Sequence, residues 1–575
     1  MSTLINTKLG EHRGKRRIWL EGHKLAREGY EPGVKYDLAV EQAKLVLRPS
    51  EEGKYTVSRR KRNGRLIPII DISRQELAEI FEGVDTLRVM ITRGKIVVTA
   101  HHQQQKVVQR VERLLSRVES GEPLRVASLF HGAGTCDRAV HDGFGLSGIS
   151  TKIGVAVELE GTYLDSSLQN NAEIWDSKSI AIESAIELVN LGNEPPQMDC
   201  LIAGLPCTGA SLSGRAKGKL KFAEEHAAAG AMFFSFLEFV KALNPAVVIG
   251  ENVPAYADTA SMAVIRSVLG SLGYDVQERV LNGNEFGALE NRNRLCFVAI
   301  SKGLEGFDLE KVKPLRTKPK QISDILEPFE SIDESRWKTY SYLEDKAKRD
   351  KASGKGFRRQ ILQGDEGHCG TIGRGYSKAR STEPFLAHPF DSTLSRLLTP
   401  LEHARAKDVP SSVIEGLPDT RAHEVLGQGV CYGPFEALGR EMGRAFRRAA
   451  EERYGVRLVS VPVCHVSSLG FLDEHGQECL GEDDCSYANA VVDLETGVLT
   501  HLWSSDFAFA MDAGLRGQKV IECHAFNGEF SPCLLDVEGV DEDSPNRLRL
   551  KQESLSLLGA STIPSHEPAA SAVAA

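Results

Sequence analysis

From residue 124 onward, short apolar runs alternate with helical stretches, and this alternation constrains the fold more than any other feature of the chain. The runs are LRVASLF, KIGVAVEL, MDCLIAGLP, PAVVIGENV and RLCFVAIS; the helical stretches between them include AGAMFFSFLEFVKAL and TASMAVIRSVLGSLG. Strands apolar on both faces need helices on both sides to cover them. The pattern therefore predicts an α/β fold, a doubly wound, mostly parallel sheet. Ligands in such sheets bind beyond the carboxyl ends of the strands, so the residues that close each run are the candidate site.

The rest of the chain is organised differently. Residues 1–102 read as a basic, β-rich N-terminal domain, with KLVLRP, KYTVSRR, LIPIIDI and TLRVMITRGKIVVTA as strands and RNGR and TRGK as hairpin turns. Residues 103–123 read as a helical linker: Val107, Val108, Val111, Leu114, Leu115 and Val118 recur at helical spacing before Ser-Gly-Glu-Pro ends the pattern. The α/β pattern occupies 124–301, lapses over a polar stretch at 302–385, and is completed over 386–453. Residues 454–558 read as an acidic, β-rich C-terminal domain and 559–575 as a disordered tail.

Charge follows this division. Residues 1–120 hold 24 Lys and Arg against 15 Asp and Glu, whereas residues 451–575 hold 7 against 21. The overall charge of −9 thus conceals a basic beginning suited to a polyanion. No apolar run reaches the roughly 18 residues of a spanning helix, and the N-terminal residues lack the apolar core of a secretory signal. A cytoplasmic protein with no membrane partner is expected. The 11 cysteines form no C-x-x-C, and Cys464, Cys479, Cys485, Cys523 and Cys533 fit no zinc spacing, so free thiols and no metal are expected.

Each strand end carries a candidate. Phe130, Gly132 and Gly134 form a strand-to-helix turn that brings backbone close to a ligand, and Phe130 offers a ring to stack on; a tight turn alone would also need the glycines. Glu158 closes the second run, where a carboxylate can bind ribose hydroxyls; a solvated loop charge looks the same. Cys207, set in Gly204-Leu205-Pro206-Cys207-Thr208-Gly209-Ala210-Ser211, is a thiol at a strand end, nucleophilic if its pKa is lowered or a cation is near; most lone cysteines are buried and structural. Glu251 and Asn252 offer a proton donor and an orienting amide. Arg292 and Arg294, at alternate positions, would point together at an anion.

Together, in this order, these motifs resemble the DNA cytosine-C5 methyltransferase family over residues 124–450, and the likeness continues through SRLLTPLEHARAKDVP, with Arg396, Leu398, Thr399, Glu402, Ala404 and Arg405, to a closing motif at Gly427-Gln428-Gly429-Val430. The resemblance implies a Rossmann-like methyltransferase sheet and S-adenosylmethionine as cofactor. Phe130, Gly132, Gly134, Glu158, Gly429 and Val430 would bind that cofactor, with Glu183 as a guess for its adenine contact. Cys207 would add to C6 of a flipped-out cytosine while Glu251 serves N3. Arg292 and Arg294 would hold the base or its phosphate, Asn252 would position Glu251, and Pro206 would shape the cysteine loop. Residues 302–385 would be the target-recognition region, with Arg374, Tyr376, Lys378 and Arg380 on DNA. Double-stranded DNA is the implied partner; a cognate restriction enzyme and the oligomeric state stay open.

The chain departs from the family pattern at several positions: Thr208 follows Pro-Cys in place of glutamine, with Gly209 and Ala210 in place of a bulkier pattern, Glu290 replaces the glutamine that opens the arginine strand, and Gln428 replaces the asparagine of the closing motif. They put loop geometry around the base in question while keeping the nucleophile, the acid and the arginines. Two other readings stay open: an RNA cytosine-C5 methyltransferase, and a catalytically silent DNA-binding regulator on the same fold. The N-terminal segment REGYEPGVKYDL also resembles small bacterial swapped-hairpin DNA-binding and toxin-like folds.

Overall fold

The computed structural model describes residues 2–41, 44–206, 231–354 and 359–454, with the backbone of five short strands between 458 and 550. The chain divides into two compact units, one of Met1–Glu112 with Ser271–Tyr274 and Ser301–Gly303, the other of the remaining residues from Arg113.

The N-terminal unit is β-rich. Its strands are β1 (Thr3–Lys8), β2 (Gly10–His12), β3 (Lys15–Glu21), β4 (Lys35–Glu41), β5 (Lys44–Pro49), β6 (Tyr55–Thr56), β7 (Ser58–Arg62), β8 (Arg65–Ser73), β9 (Thr86–Thr92) and β10 (Lys95–Ala100). They form two sheets, in the orders β1-β9-β10-β5-β4-β6 and β2-β3-β8-β7. One apolar set from both sheets, including Ile18, Leu20, Leu47, Ile70, Ile72, Val89 and Val98, makes the core. The alternation in TLRVMITRGKIVVTA produces the β9–β10 hairpin. Helices α1 (His23–Arg27) and α2 (Leu77–Ile80) are single turns, and α3 spans His102–Ser120.

The second unit is built on seven strands: β11 (Leu124–Leu129), β12 (Thr151–Glu158), β13 (Ile180–Glu183), β14 (Cys200–Gly204), β15 (Val247–Asn252), β16 (Tyr274–Asn282) and β17 (Asn293–Ser301). The order is β13-β12-β11-β14-β15-β17-β16. From β13 to β15 all pairings are parallel, and β17 runs antiparallel to β15. The sheet is thus doubly wound and mostly parallel, as the alternation requires. It also holds two strands, β13 and β16, that the apolar runs did not mark, because their residues are largely exposed or half-buried.

Helices α4 (Thr135–Gly145), α5 (Gly161–Asn170), α6 (Met232–Leu243) and α7 (Ala260–Ser271) connect the strands. Beyond the sheet come α8 (Ser341–Ala352), α9 (Pro400–Ala406), α10 (Asp419–Gln428) and α11 (Tyr432–Tyr454), with a small sheet of β18 (Gln360–Leu362), β19 (Pro384–Ala387) and β20 (Ser395–Arg396). Helix α11 lies hard against α4: a Cβ on Gly143 would collide with the Glu436 carbonyl, and one on Gly439 would collide with that of Val140. That approach ties the closing part of the chain to the first strand's helix. Backbone strands β21 (Leu458–Val463), β22 (Ala488–Asp493) and β23 (Leu499–Ser504) pair antiparallel, as do β24 (Val537–Gly539) and β25 (Leu548–Leu550).

Among the described residues, Cys136, Cys200, Cys296, Cys369 and Cys431 are free thiols, no group of side chains is arranged to hold a metal ion, and no helix is long and apolar enough to cross a membrane. Cys464, Cys479, Cys485, Cys523 and Cys533 lie outside them.

Candidate active site

The carboxyl ends of β11, β12, β14 and β15 bring most of the candidate residues to one edge of the sheet. After β11, Phe130, Gly132 and Gly134 all have positive φ, at 57°, 59° and 75°. For Phe130 that conformation is costly and is the kind of strain that persists where a site over-determines it. Glu158 holds the turn from the side: its Oε2 accepts the Gly132 N–H at 2.7 Å and its Oε1 accepts the Glu160 N–H at 3.0 Å. Gly134 has an added reason to be glycine, since a Cβ there would sit 2.5 Å from Ser167 Oγ. Glu158 and Glu183 face each other in register at the mouths of β12 and β13, with Glu183 exposed.

The closing motif completes this side. A Cβ on Gly132 would lie 3.5 Å from Gln428 Nε2, and one on Gly429 would lie 3.3 Å from Thr135 Oγ1. Gly429 and Val430 therefore border the same turn as Phe130 and Gly132, with Val430 buried.

At the next two strands, Glu251 and Arg294 form an ion pair, Nε to Oε1 at 2.7 Å, with about one-sixth of each side chain exposed (15% and 17%). Glu251 sits in register with Gly204, and a Cβ on that glycine would be 3.9 Å from Glu251 Oε2. The backbone N–H of Leu205 donates to the Glu251 carbonyl at 3.2 Å. Asn252 is buried, and its Nδ2 donates to the Leu205 carbonyl at 3.3 Å while its Oδ1 accepts the Val253 N–H. So Asn252 does not orient Glu251; it ties down the segment that leads through Pro206 into Cys207. Cys207 itself, with Thr208, Gly209, Ala210 and Ser211, lies outside the described residues.

The arginine pair also divides. β17 starts at Asn293, so the alternation argument does not reach Arg292. Arg292 is buried and donates to Glu290 Oε1 at 3.3 Å and to the carbonyls of Ile372, Gly427 and Gln428 at 3.3–3.5 Å. It staples the closing motif to Ile372, while of the two arginines Arg294 addresses Glu251.

Glu290, whose charge departs from the family pattern, proves to be compensated. Its side chain is fully buried; Oε2 accepts from Lys407 Nζ at 2.6 Å and Oε1 accepts the Ile372 N–H at 2.8 Å. Burial opposes its charge, but the cations of Lys407 and Arg292 outweigh that and hold its carboxyl below the usual range. Burial pushes the neighbouring Cys431 thiol up to about 12, so it is no nucleophile. The sequence gives no sign of Lys407's role, because one lysine after a helix does not announce its burial.

In the polar stretch 302–385, Arg374, Lys378 and Arg380 are exposed, but Tyr376 is not. Its hydroxyl donates to the Pro384 carbonyl and accepts the Leu398 N–H, both at 2.9 Å, and its ring packs beside His403 and His423. The expected DNA contact at Tyr376 is corrected to a core position. Arg374 lies over the Tyr163 ring at 5.4 Å. Arg396 and Glu402 form a buried two-pronged pair at 2.6 and 2.7 Å, and Thr399 with Glu402 makes a capping box on α9.

Against known proteins, the family model described as C-5 cytosine-specific DNA methylase matches residues 124–444, more than half of the chain. The chain belongs to the C-5 cytosine-specific DNA methylase family. It is similar to the type II methyltransferase M.NlaX of Neisseria lactamica, with 27% identity over 45% of this chain and 80% of that protein. M.Bsp6I of Bacillus sp. (strain RFL6), also a type II methyltransferase, is 26% identical over 53% of this chain and 94% of its own length. The orphan methyltransferase M.SPRI of Bacillus phage SPR is 29% identical over 34% and 43%. As a member of this family the chain is a DNA cytosine-5-methyltransferase, and the matched span contains every strand-end residue described above.

Proposed function

We propose that the chain methylates C5 of cytosine in double-stranded DNA through a covalent Cys207 adduct, with S-adenosylmethionine as methyl donor. The observation that carries this reading is the Glu251–Arg294 pair at 2.7 Å, set in register beside Gly204 at the mouth of the segment that runs into Cys207.

Cytosine C5 is a weak nucleophile until the ring is activated. The Cys207 thiolate adds to C6, and the ring electrons move toward N3 and C5. Glu251 holds a proton at N3, so that the charge built up during attack is neutralised. Arg294 fixes the Glu251 carboxyl and offers a cation to the flipped base, whose extrusion from the duplex costs a few kcal/mol. After C5 has taken the methyl group, loss of the C5 proton and departure of the thiolate restore the aromatic ring. Asn252 and Pro206 keep the approach to Cys207 in place, and Arg292 acts as a positioning residue.

The residues at β11–β13 fit the cofactor. Glu158 and Glu183 are neighbouring carboxylates, suited to hydroxyls and to a cationic sulfur, and the positive-φ turn at Phe130 and Gly132 is held against Glu158 through the Gly132 N–H. When bound, S-adenosylmethionine supplies an electrophilic methyl group on its sulfonium. Glu158 would take its ribose, Phe130 would stack on its adenine, and Gly132, Gly134, Gly429 and Val430 would border it. Arg374, Lys378 and Arg380 would meet DNA from the recognition region. A cytoplasmic location follows from that substrate, and a cognate restriction enzyme would be its partner if its role matches that of its type II relatives.

The test is bisulfite sequencing of DNA from a host lacking cytosine methylation that expresses the protein or its Cys207→Ala variant. Methylation at one defined sequence, lost in the variant, is expected. Unmodified DNA in the presence of folded protein would overturn the reading.

A further inference from the structure

The N-terminal unit carries a two-stranded ribbon that methyl transfer does not use. Strands β7 and β8 pair from Ser58↔Ile69 to Arg62↔Arg65. Asn63 and Gly64 join them with φ of 47° and 77°, a two-residue turn whose twist matches the strands it connects. β8 is anchored at Pro68, Ile69 and Ile70, which are buried, whereas every residue from Ser58 to Leu66 is exposed. The ribbon therefore leaves the core near Ile67 and stands in solvent on both faces. A two-stranded hairpin gains little from its own contacts, so packing does not dictate what these positions contain.

They contain cations. Arg59, Arg60, Lys61, Arg62 and Arg65 all project from the ribbon, and no acidic residue occurs between Glu52 and Asp71. Strand alternation places Arg59 and Lys61 on one face and Arg60, Arg62 and Arg65 on the other. Arg62 stands directly opposite Arg65, a like-charged pair that disfavours the hairpin by itself. Arg60 is paired with Glu21 at 2.7 Å; among the described residues the other four meet no carboxylate. Among the described residues these four cations are left to solvent, and a polyanion is the partner that their charge suits.

We infer that this ribbon is a second DNA-binding element, which grips the phosphate backbone of double-stranded DNA independently of the catalytic residues. The major groove of B-form DNA admits a two-stranded β-ribbon, and cations on both faces match the phosphates on its two walls. The major groove of an A-form RNA duplex is too narrow for the same insertion. Phosphate contacts carry no sequence information, so the ribbon adds affinity and leaves the choice of target to the methylase unit.

The inference does not depend on methyl transfer, because binding alone is read. The full chain is titrated against a labelled random-sequence DNA duplex over a range of salt concentrations. It is compared with two variants: R59S/K61S/R62S/R65S in the ribbon, and K15S/K24S/K35S/R93S, which removes the same charge from exposed positions elsewhere in the unit. The ribbon variant is expected to bind at least about tenfold more weakly at low salt, with a log–log salt slope shallower by up to about 3.6, at about 0.9 for each phosphate no longer neutralised. The control variant should lose much less. Unchanged affinity and slope in the ribbon variant, an equal loss in the control, or an equal loss on duplex RNA would each overturn the inference.

Discussion

Lys407 Nζ lies 2.6 Å from Glu290 Oε2, and neither side chain is exposed to solvent. The pair lets a carboxylate replace the family's glutamine at the head of the arginine strand. With Arg292 beside it, Glu290 links the segment that leads into β17, the backbone at Ile372 and the start of the loop after α9. Breaking such a pair from one side leaves a buried charge without its partner. Glu290→Gln or Lys407→Met alone is expected to cost roughly 3–5 kcal/mol in chemical denaturation. The double substitution should recover most of that loss. Equal costs that simply add would show that the two side chains are not coupled.

A second buried carboxyl sets a pH dependence. Burial, with Asp142 and Asp408 nearby, outweighs the Arg316 cation and raises Glu436 to about 7. A carboxyl raised above its unfolded value favours the fold below that value and loses its contribution as pH rises toward 7. The wild-type protein should therefore lose about 3 kcal/mol from this group between its ordinary value near 4.5 and about 7. Glu436→Gln should flatten the stability–pH curve across that window. An unchanged curve, followed by denaturant midpoints at successive pH values, would show that Glu436 is not its source.

How far these features could be read beforehand follows from what burial leaves in a sequence. The strands β11, β12, β14, β15 and β17 were legible because both their faces are covered, which forces continuous apolar runs. β13 and β16 were not, because IAIE and YDVQERVLN keep polar or half-exposed positions. Strand-end placement points to Glu251, Glu158 and the Phe130–Gly134 turn, and the sheet brings these to one edge. It fails for Arg292, and the basic composition of 302–385 fails for Tyr376: both side chains bond inside the protein, to carbonyls and, for Tyr376, an N–H that adjacent sequence does not announce. A polar side chain's letter does not say whether its partner is water, DNA or a backbone group 80 residues away.

The Glu251–Arg294 pair predicts two separable defects. Glu251→Gln removes the proton donor proposed for N3 while keeping the shape, and should slow methylation by about 10²–10⁴-fold. Arg294→Met should slow the reaction as well and, by removing a cation from the base site, also weaken DNA binding. Single-turnover methylation and equilibrium binding, measured on both variants, distinguish the roles. Weakened binding in Glu251→Gln with an unchanged chemical step would reverse the assignment.

Asn252 predicts a defect transmitted through the backbone. Asn252→Asp keeps the Val253 contact but replaces the amide that donates to the Leu205 carbonyl, two residues before Cys207. Loss of one buried hydrogen bond is worth about 1–3 kcal/mol, and here it would loosen the backbone that precedes the proposed nucleophile. The rate of trapping of Cys207 on DNA containing a mechanism-based cytosine analogue should fall while cofactor affinity holds. A normal trapping rate would leave Asn252 a structural residue only.

Within 302–385, a buried tyrosine and its exposed basic neighbours should fail in opposite ways. Tyr376→Phe strips the hydrogen-bond partner from the Leu398 N–H and the Pro384 carbonyl, both of which it satisfies from inside the core. It should destabilise the protein by about 1–3 kcal/mol and leave the salt dependence of DNA binding unchanged. Substituting Arg374, Lys378 and Arg380 together by alanine should do the reverse, because these side chains are exposed. Stability should hold while DNA affinity falls and the log–log salt slope becomes shallower by about 0.9 for each phosphate left without its cation. A triple variant with full affinity would mean that 302–385 meets DNA through other residues, and a Tyr376→Phe variant with weakened DNA binding but undiminished stability would return that ring to the DNA interface.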